Sequence, residues 1–198
     1  MAYPPSLNAS LKISLGLALL MLLLGVLPDI SEPLLQYDRN EILAGEFWRL
    51  ISGQLVHYGF YHLLMNMVAL LLCGYLLLRE LSASVYLSLL TSSSLAVGLG
   101  LLIFDPQMHY YAGLSGVLHG LIIAGLICNW RSSPWFYGLA LLIVFVKLIH
   151  EQLPGFDPHH PLLPVEVAVN AHLYGALGGL FWTTLYKMYS LIRKKAHA

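Results

Sequence analysis

Apolar residues gather into long runs that recur along the whole 198-residue chain, with polar stretches between them. A bilayer-spanning helix needs roughly 20 predominantly apolar residues, and these runs meet that length. They predict six spans, at about residues 11–27, 62–78, 85–104, 114–130, 135–150 and 167–191. Six spans leave room for little else, so the expected fold is one all-α polytopic membrane domain over residues 1–198, a six-transmembrane-helix bundle. Residues 28–56 read as a polar loop holding Asp29, Glu32, Asp38, Arg39, Glu41, Glu46 and Arg49. Residues 105–113 and the proline-rich 151–166 are further polar connections, and Arg79-Glu80 and Arg131–Pro134 are tight turns. The first run lacks a strongly basic start and an A-x-A site before Pro28, which reads as an uncleaved span rather than a signal peptide.

Composition narrows the class. Apolar residues make up 58% of the chain and charged ones 10%, against about 25% charged in ordinary soluble domains. Such a chain could not cover a water-facing surface, which excludes a soluble globule. Ten Lys and Arg balance ten Asp and Glu, and no basic block precedes the C-terminal tail, so nucleic-acid binding has no footprint. Six spans put both termini on one side, with Lys12, Arg79, Arg131, Lys187, Arg193, Lys194 and Lys195. Only Arg39, Arg49 and Lys147 fall toward the other side, so both termini are expected in the cytoplasm and the three longer loops outside. Trp48, Trp130, Trp135 and Trp182 lie near span boundaries, where interfacial anchors sit. Cys73 and Cys128 lie inside apolar runs with neither CxxC nor metal-site spacing, and read as buried thiols.

Polar side chains within spans are costly and mark function by default. Three clusters occur, all at outward ends: His57 to Asn66, Gly113 to Gly120, and Asn170 to Gly175. His62 and Asn66 are four apart and share a helix face, as do Ser115 and His119. Gly116-x-x-x-Gly120 on span four and Ala171-x-x-x-Gly175-x-x-x-Gly179 on span six let backbones approach closely. Contact between these spans would bring Ser115 near His172, the geometry a serine nucleophile needs from its base. Span four is short, so its start should lie below the outer surface in a watery cavity. Bland alternatives stand beside this: a membrane serine often bonds back to its own helix, and a histidine often bridges helices. Nine histidines also raise a metal or haem reading, with His62 and His172 as a pair across spans, although His150-Glu151 is followed by no second His of an HExxH motif.

Gly113-x-Ser115-Gly, Ala171-His172-x-x-Gly175, His62-x-x-x-Asn66 and Glu46-x-Trp48-Arg49 together resemble the rhomboid intramembrane serine proteases, in the expected order from about Glu46 to Gly179. The form of Gly113–Gly120 and the small size look most like the rhombosortase branch. The resemblance implies a serine endopeptidase with Ser115 as nucleophile and His172 as base, a dyad needing no acidic third member. It implies an oxyanion hole of His62, Asn66 and the Ser115 backbone N–H, and no metal or other cofactor. His57, Gly113, Gly116, Trp48 and Arg49 take supporting positions. His119 stands where many relatives carry a tyrosine against the catalytic histidine, so an orienting role is expected of it. The implied partners are the bilayer and membrane-anchored proteins with a C-terminal Gly-Gly-type sorting helix, at a bacterial inner membrane with the site opening outward. General rhomboid proteolysis of other transmembrane substrates is the alternative.

Overall fold

The computed structural model describes residues 7–196. Residues 1–6 and 197–198, the ends whose cytoplasmic side was expected, lie outside the described residues. The chain runs α1 (Ala9–Val26), α2 (Pro28–Leu35), β1 (Tyr37–Asp38), α3 (Arg39–Leu43), α4 (Arg49–Ser52), α5 (Phe60–Leu72) with a π-helical extension (Cys73–Leu77), α6 (Ala83–Phe104), β2 (Tyr110–Tyr111), α7 (Ser115–Cys128), α8 (Pro134–Glu151) and α9 (Val169–Ala196). By length and composition, four of these can cross a membrane: α1, α5 with its extension, α6 and α8. Each expected span coincides with one helix, with ends shifted by a few residues; the last runs on to Ala196.

Local chemistry explains the helix starts. Asn8 caps α1 by accepting from the Leu11 N–H at 2.8 Å, and Pro28 and Pro134 open α2 and α8 where a missing N–H costs nothing. Asp38 caps α3 through the N–H groups of Asn40 and Glu41. α1 and α8 are apolar around most of their circumference and leave most of it exposed, as lipid-facing helices do. In α8, only Leu148 and Glu151 are buried. α7 is the opposite case, with Val117, Leu118, Leu121, Ala124 and Leu126 buried between its neighbours.

The polar loop over 28–56 is folded rather than open. It carries α2, α3, α4 and the strand β1, which pairs antiparallel with β2 in the register Tyr37↔Tyr111 and Asp38↔Tyr110. This pairing straps the first loop to the segment that leads into α7. At the other end of that segment, Asn170 of α9 donates to Asp105 at 2.8 Å. Asn170 therefore ties α9 to the end of α6, and Tyr174 packs on Gly100 and Phe104; neither joins the polar cluster expected at the start of the last span. Trp182 also departs from expectation. It is buried, donates to the Ser88 hydroxyl at 2.9 Å and stacks on Tyr186, so it locks α9 to α6 instead of anchoring an interface. Cys73 is buried, Cys128 half-buried, and both are free thiols.

Main chain meets main chain where α7 and α9 cross. A Cβ at Gly116 would sit 2.6 Å from the Ala171 carbonyl oxygen, and one at Gly120 2.6 Å from that of Gly175. From the other side, a Cβ at Gly175 or Gly179 would overlap the carbonyl of Gly116 or Gly120. The pairing advances in step along both helices, so they run parallel and bring their N-terminal ends to one level. Gly175→Val should therefore push the helices apart and lower stability by about 1–3 kcal/mol or more. Thermal unfolding in detergent micelles checks this, with Gly16→Val in α1, where a Cβ meets nothing within 4 Å, as the control expected to change little.

Candidate active site

The turn that delivers α7 is built around Gly113. Its φ of +127° is left-handed territory, and a Cβ there would lie 2.5 Å from Cε1 and 2.7 Å from Nε2 of His62. Glycine is thus required twice over, by backbone conformation and by the ring packed on it. The Gly113 N–H donates to the Gly53 carbonyl at 3.0 Å, and the Tyr111 hydroxyl donates to the Gly113 carbonyl at 2.6 Å. The next N–H, of Leu114, donates to His57 Nε2 at 3.3 Å. His57 is buried and supports the turn through this bond.

Ser115 is the first residue of α7, and its hydroxyl meets His172 Nε2 at 3.1 Å. His172 is buried on α9, and its Nδ1 lies 3.0 and 3.2 Å from the two carboxylate oxygens of Glu151. An ionised carboxylate only accepts hydrogen bonds, so Nδ1 carries the ring proton and Nε2 presents its lone pair to the Ser115 hydroxyl. The arrangement can take a proton from Ser115 without first reorganising. His119 stacks on His172 with ring centroids 4.3 Å apart and planes 24° from parallel. His119 Nδ1 lies 2.8 Å from the Ser115 carbonyl oxygen and therefore donates to it, which leaves Nε2 to accept from Lys147 Nζ at 3.1 Å. Lys147 also pairs with Glu151 one turn along α8.

Opposite this pair lie groups that can meet negative charge. His62 lines the same cavity as Ser115, and His57 stands edge-on to it with centroids 5.0 Å apart. The buried His62 Nδ1 and Asn66 Nδ2 have no hydrogen-bond partner among the described residues, nor does His57 Nδ1. Buried polar atoms are rarely left so, and an amide N–H₂ without an acceptor is a donor poised for one. The Ser115 N–H sits at the first position of α7, where a helix leaves N–H groups free and its dipole favours negative charge. The cavity, about 540 Å³, opens beside Ser115 between Tyr58, Met108, Tyr110 and Ala168. On its wall the Tyr58 hydroxyl donates to Gln36 at 2.7 Å, and burial pushes its pKa up to about 12, so it stays a neutral donor.

Other expected residues lie elsewhere. Gly116 belongs to the seam between α7 and α9. Arg49 is buried 5% exposed in the first loop, where it pairs with Glu46 and donates to the carbonyls of Gln36 at 3.0 Å and Pro33 at 2.8 Å. Trp48 is exposed and donates to the Leu34 carbonyl at 3.2 Å, so this segment clamps the loop and touches no reacting atom. His159 is exposed and pairs with Asp157 and Glu166 in the last loop. Of the His62–His172 pair raised for a metal or haem, His172 has a hydrogen-bond partner at each ring nitrogen, Ser115 at Nε2 and Glu151 at Nδ1.

Sequence reasoning missed Glu151 and Lys147. It placed Glu151 in the following loop and weighed it only as half of an incomplete metal motif, whereas it is the buried last residue of α8. It also expected a dyad with no acidic member, while a carboxylate stands on Nδ1. A signal was present: opposite charges four residues apart at the end of an apolar run share one helix face and pay for their burial only by meeting partners.

A sequence profile of the Rhomboid domain matches residues 44–189. The protein YdcA of Bacillus subtilis, classed by name with the rhomboid proteases, is 27% identical over 153 residues, covering 73% of this chain and 69% of its own length. RHOMBOID-like protein 5 of Arabidopsis thaliana is 31% identical over 148 residues, and Rhomboid-related protein 1 of Caenorhabditis elegans 33% over 156. Those matches cover 73% and 71% of this chain but only 45% and 40% of the two longer relatives.

Arg49→Met removes the donor to the carbonyls of Pro33 and Gln36 and the partner of Glu46, and should lower stability by about 1–3 kcal/mol in total. Limited proteolysis of the folded protein is expected to show faster nicking within residues 28–48 than in the wild type.

Proposed function

The chain belongs to the rhomboid family, and from that premise we propose that it is an intramembrane serine protease in which Ser115 is the nucleophile and His172 the general base. The observation that carries this is the 3.1 Å contact between a hydroxyl on α7 and an imidazole lone pair on α9, beside a cavity. Ser115 Oγ attacks the scissile carbonyl carbon while its proton passes to His172 Nε2. The oxygen that becomes negative lies toward His62, Asn66 and the Ser115 N–H. Collapse breaks the carbon–nitrogen bond, and His172 returns the proton to the leaving amine. Water entering through the cavity, activated by His172 in the same way, then releases the acyl group. Removing one oxyanion donor in a serine hydrolase costs about 10²–10³ in rate, and Asn66→Ala is placed in that range.

The helix that carries Ser115 is 14 residues, about 21 Å, shorter than a hydrocarbon core of about 30 Å. With six spans, both termini cytoplasmic and the site opening outward, Ser115 stands within the membrane's thickness on the outer side. The substrates are membrane-anchored proteins at a bacterial inner membrane. The likeness of Gly113–Gly120 to the rhombosortase branch favours those ending in a C-terminal Gly-Gly-type sorting helix.

Co-expression with a reporter carrying such a tail tests both levels. Ser115→Ala and His172→Ala are each expected to reduce cleavage at least a thousandfold while insertion into the membrane is retained. Processing by Ser115→Ala at the wild-type rate would overturn the nucleophile. Equal cleavage of a transmembrane reporter without the Gly-Gly segment would overturn the substrate class and leave general rhomboid proteolysis.

A further inference from the structure

Glu151 is a charged side chain that the proposed dyad leaves unused, and its setting is unusual. It is only 8% exposed and stands on a helix where Leu148 is the one other fully buried residue. Burying a carboxylate is costly unless it is paired and hydrogen-bonded, and Glu151 has two partners. Oε1 takes the Lys147 ammonium, and both oxygens face His172 Nδ1, at 3.2 and 3.0 Å. Lys147 is itself held from a second side by His119, whose other ring nitrogen rests on the Ser115 carbonyl. One hydrogen-bonded circuit thus runs from the nucleophile's backbone through His119, Lys147 and Glu151 to His172 and back to the nucleophile's hydroxyl.

Resting on the proteolytic reading of Ser115 and His172, we propose that Glu151 is a positioning residue that makes the site a Ser115–His172–Glu151 triad, with Lys147 holding its carboxylate in place. Three consequences follow from the geometry. The carboxylate selects the His172 tautomer with the proton on Nδ1, the only neutral form that can accept from Ser115. It fixes the ring's rotation, together with the His119 ring stacked on its face. It remains ionised throughout, so the imidazolium formed when Ser115 gives up its proton has a negative partner at 3.0 Å. Because the acid comes from α8 while its partners come from α7 and α9, the triad exists only while α8 lies against them.

Replacing the carboxylate by an amide sharpens this. Lys147 only donates, so it takes the carbonyl oxygen of a glutamine and turns the N–H₂ toward His172. That selects the wrong tautomer, with a proton on Nε2 pointing at Ser115. In soluble serine proteases the equivalent change costs about 10⁴ in turnover.

The test uses the full-length protein in micelles and a fluorophosphonate probe, which forms a bond from its phosphorus to Ser115 Oγ as fluoride leaves. Its maximal inactivation rate and its half-saturating concentration are read separately. Glu151→Gln is expected to lower the maximal rate at least a hundredfold, with the half-saturating concentration within threefold of wild type. The double variant Lys147→Met, Glu151→Leu removes both charges and any acceptor for Nδ1. If Glu151 served only to neutralise Lys147, the double variant would label at the wild-type rate, and that result overturns the proposal; it is expected to stay at least a hundredfold slow. Should Glu151→Gln fail to fold, the double variant alone decides. Failure of wild-type protein to label at Ser115 would instead sink the proteolytic reading itself, and equal labelling of Glu151→Gln and wild type would sink only the triad.

Discussion

The site depends on two helix backbones in contact. α7 supplies the hydroxyl and α9 the imidazole, and no side chain lies between the helices where Gly116 and Gly120 face Ala171, Gly175 and Gly179. In a bilayer there is no hydrophobic drive between helices, because lipid tails are as apolar as leucine; close packing of small residues supplies the attraction. The same closeness places Ser115 and His172 at hydrogen-bond distance from opposite sides of the seam. Helix association and the catalytic geometry are therefore one constraint, satisfied by the absence of Cβ atoms.

Around that seam the ionisable groups beside Ser115 each meet a defined counterpart. His172 uses both nitrogens, His119 uses both, and Lys147 and Glu151 answer one another across a helical turn. On α5 the pattern reverses, and the buried His62 Nδ1 and Asn66 Nδ2 have no hydrogen-bond partner among the described residues. A saturated circuit fixes the His172 ring, while His62 and Asn66 keep unpaired polar atoms.

Much of this was legible in the chain. Six apolar runs marked six helices, and glycine and alanine at intervals of four foretold the seam because that interval is one helix face. Ser115 and His119 fell one turn apart on one helix face, with Gly113 just before that helix and His172 on the partner helix. What escaped was set by long-range packing. The strand pairing of Tyr37 with Tyr111 rests on two residues at each end, too short for any periodicity. Trp182 was misplaced because a tryptophan late in an apolar run reads the same whether it meets headgroups or a serine on α6. Glu151 opens the proline-rich polar stretch in the sequence, and although its spacing from Lys147 marks a shared helix face, no local pattern says that its carboxylate meets a histidine 21 residues away.

The glycine seam also sets the register of α9 against α7. Its notches recur every four residues, about 6 Å along the axis, and intermediate offsets drive Cβ atoms or carbonyls together. Sliding α9 by one notch would set Ala168 or Ala176 level with Ser115, with no imidazole in reach. The observed register is the one that pairs hydroxyl with imidazole, and a four-residue offset would leave Ser115 without that partner.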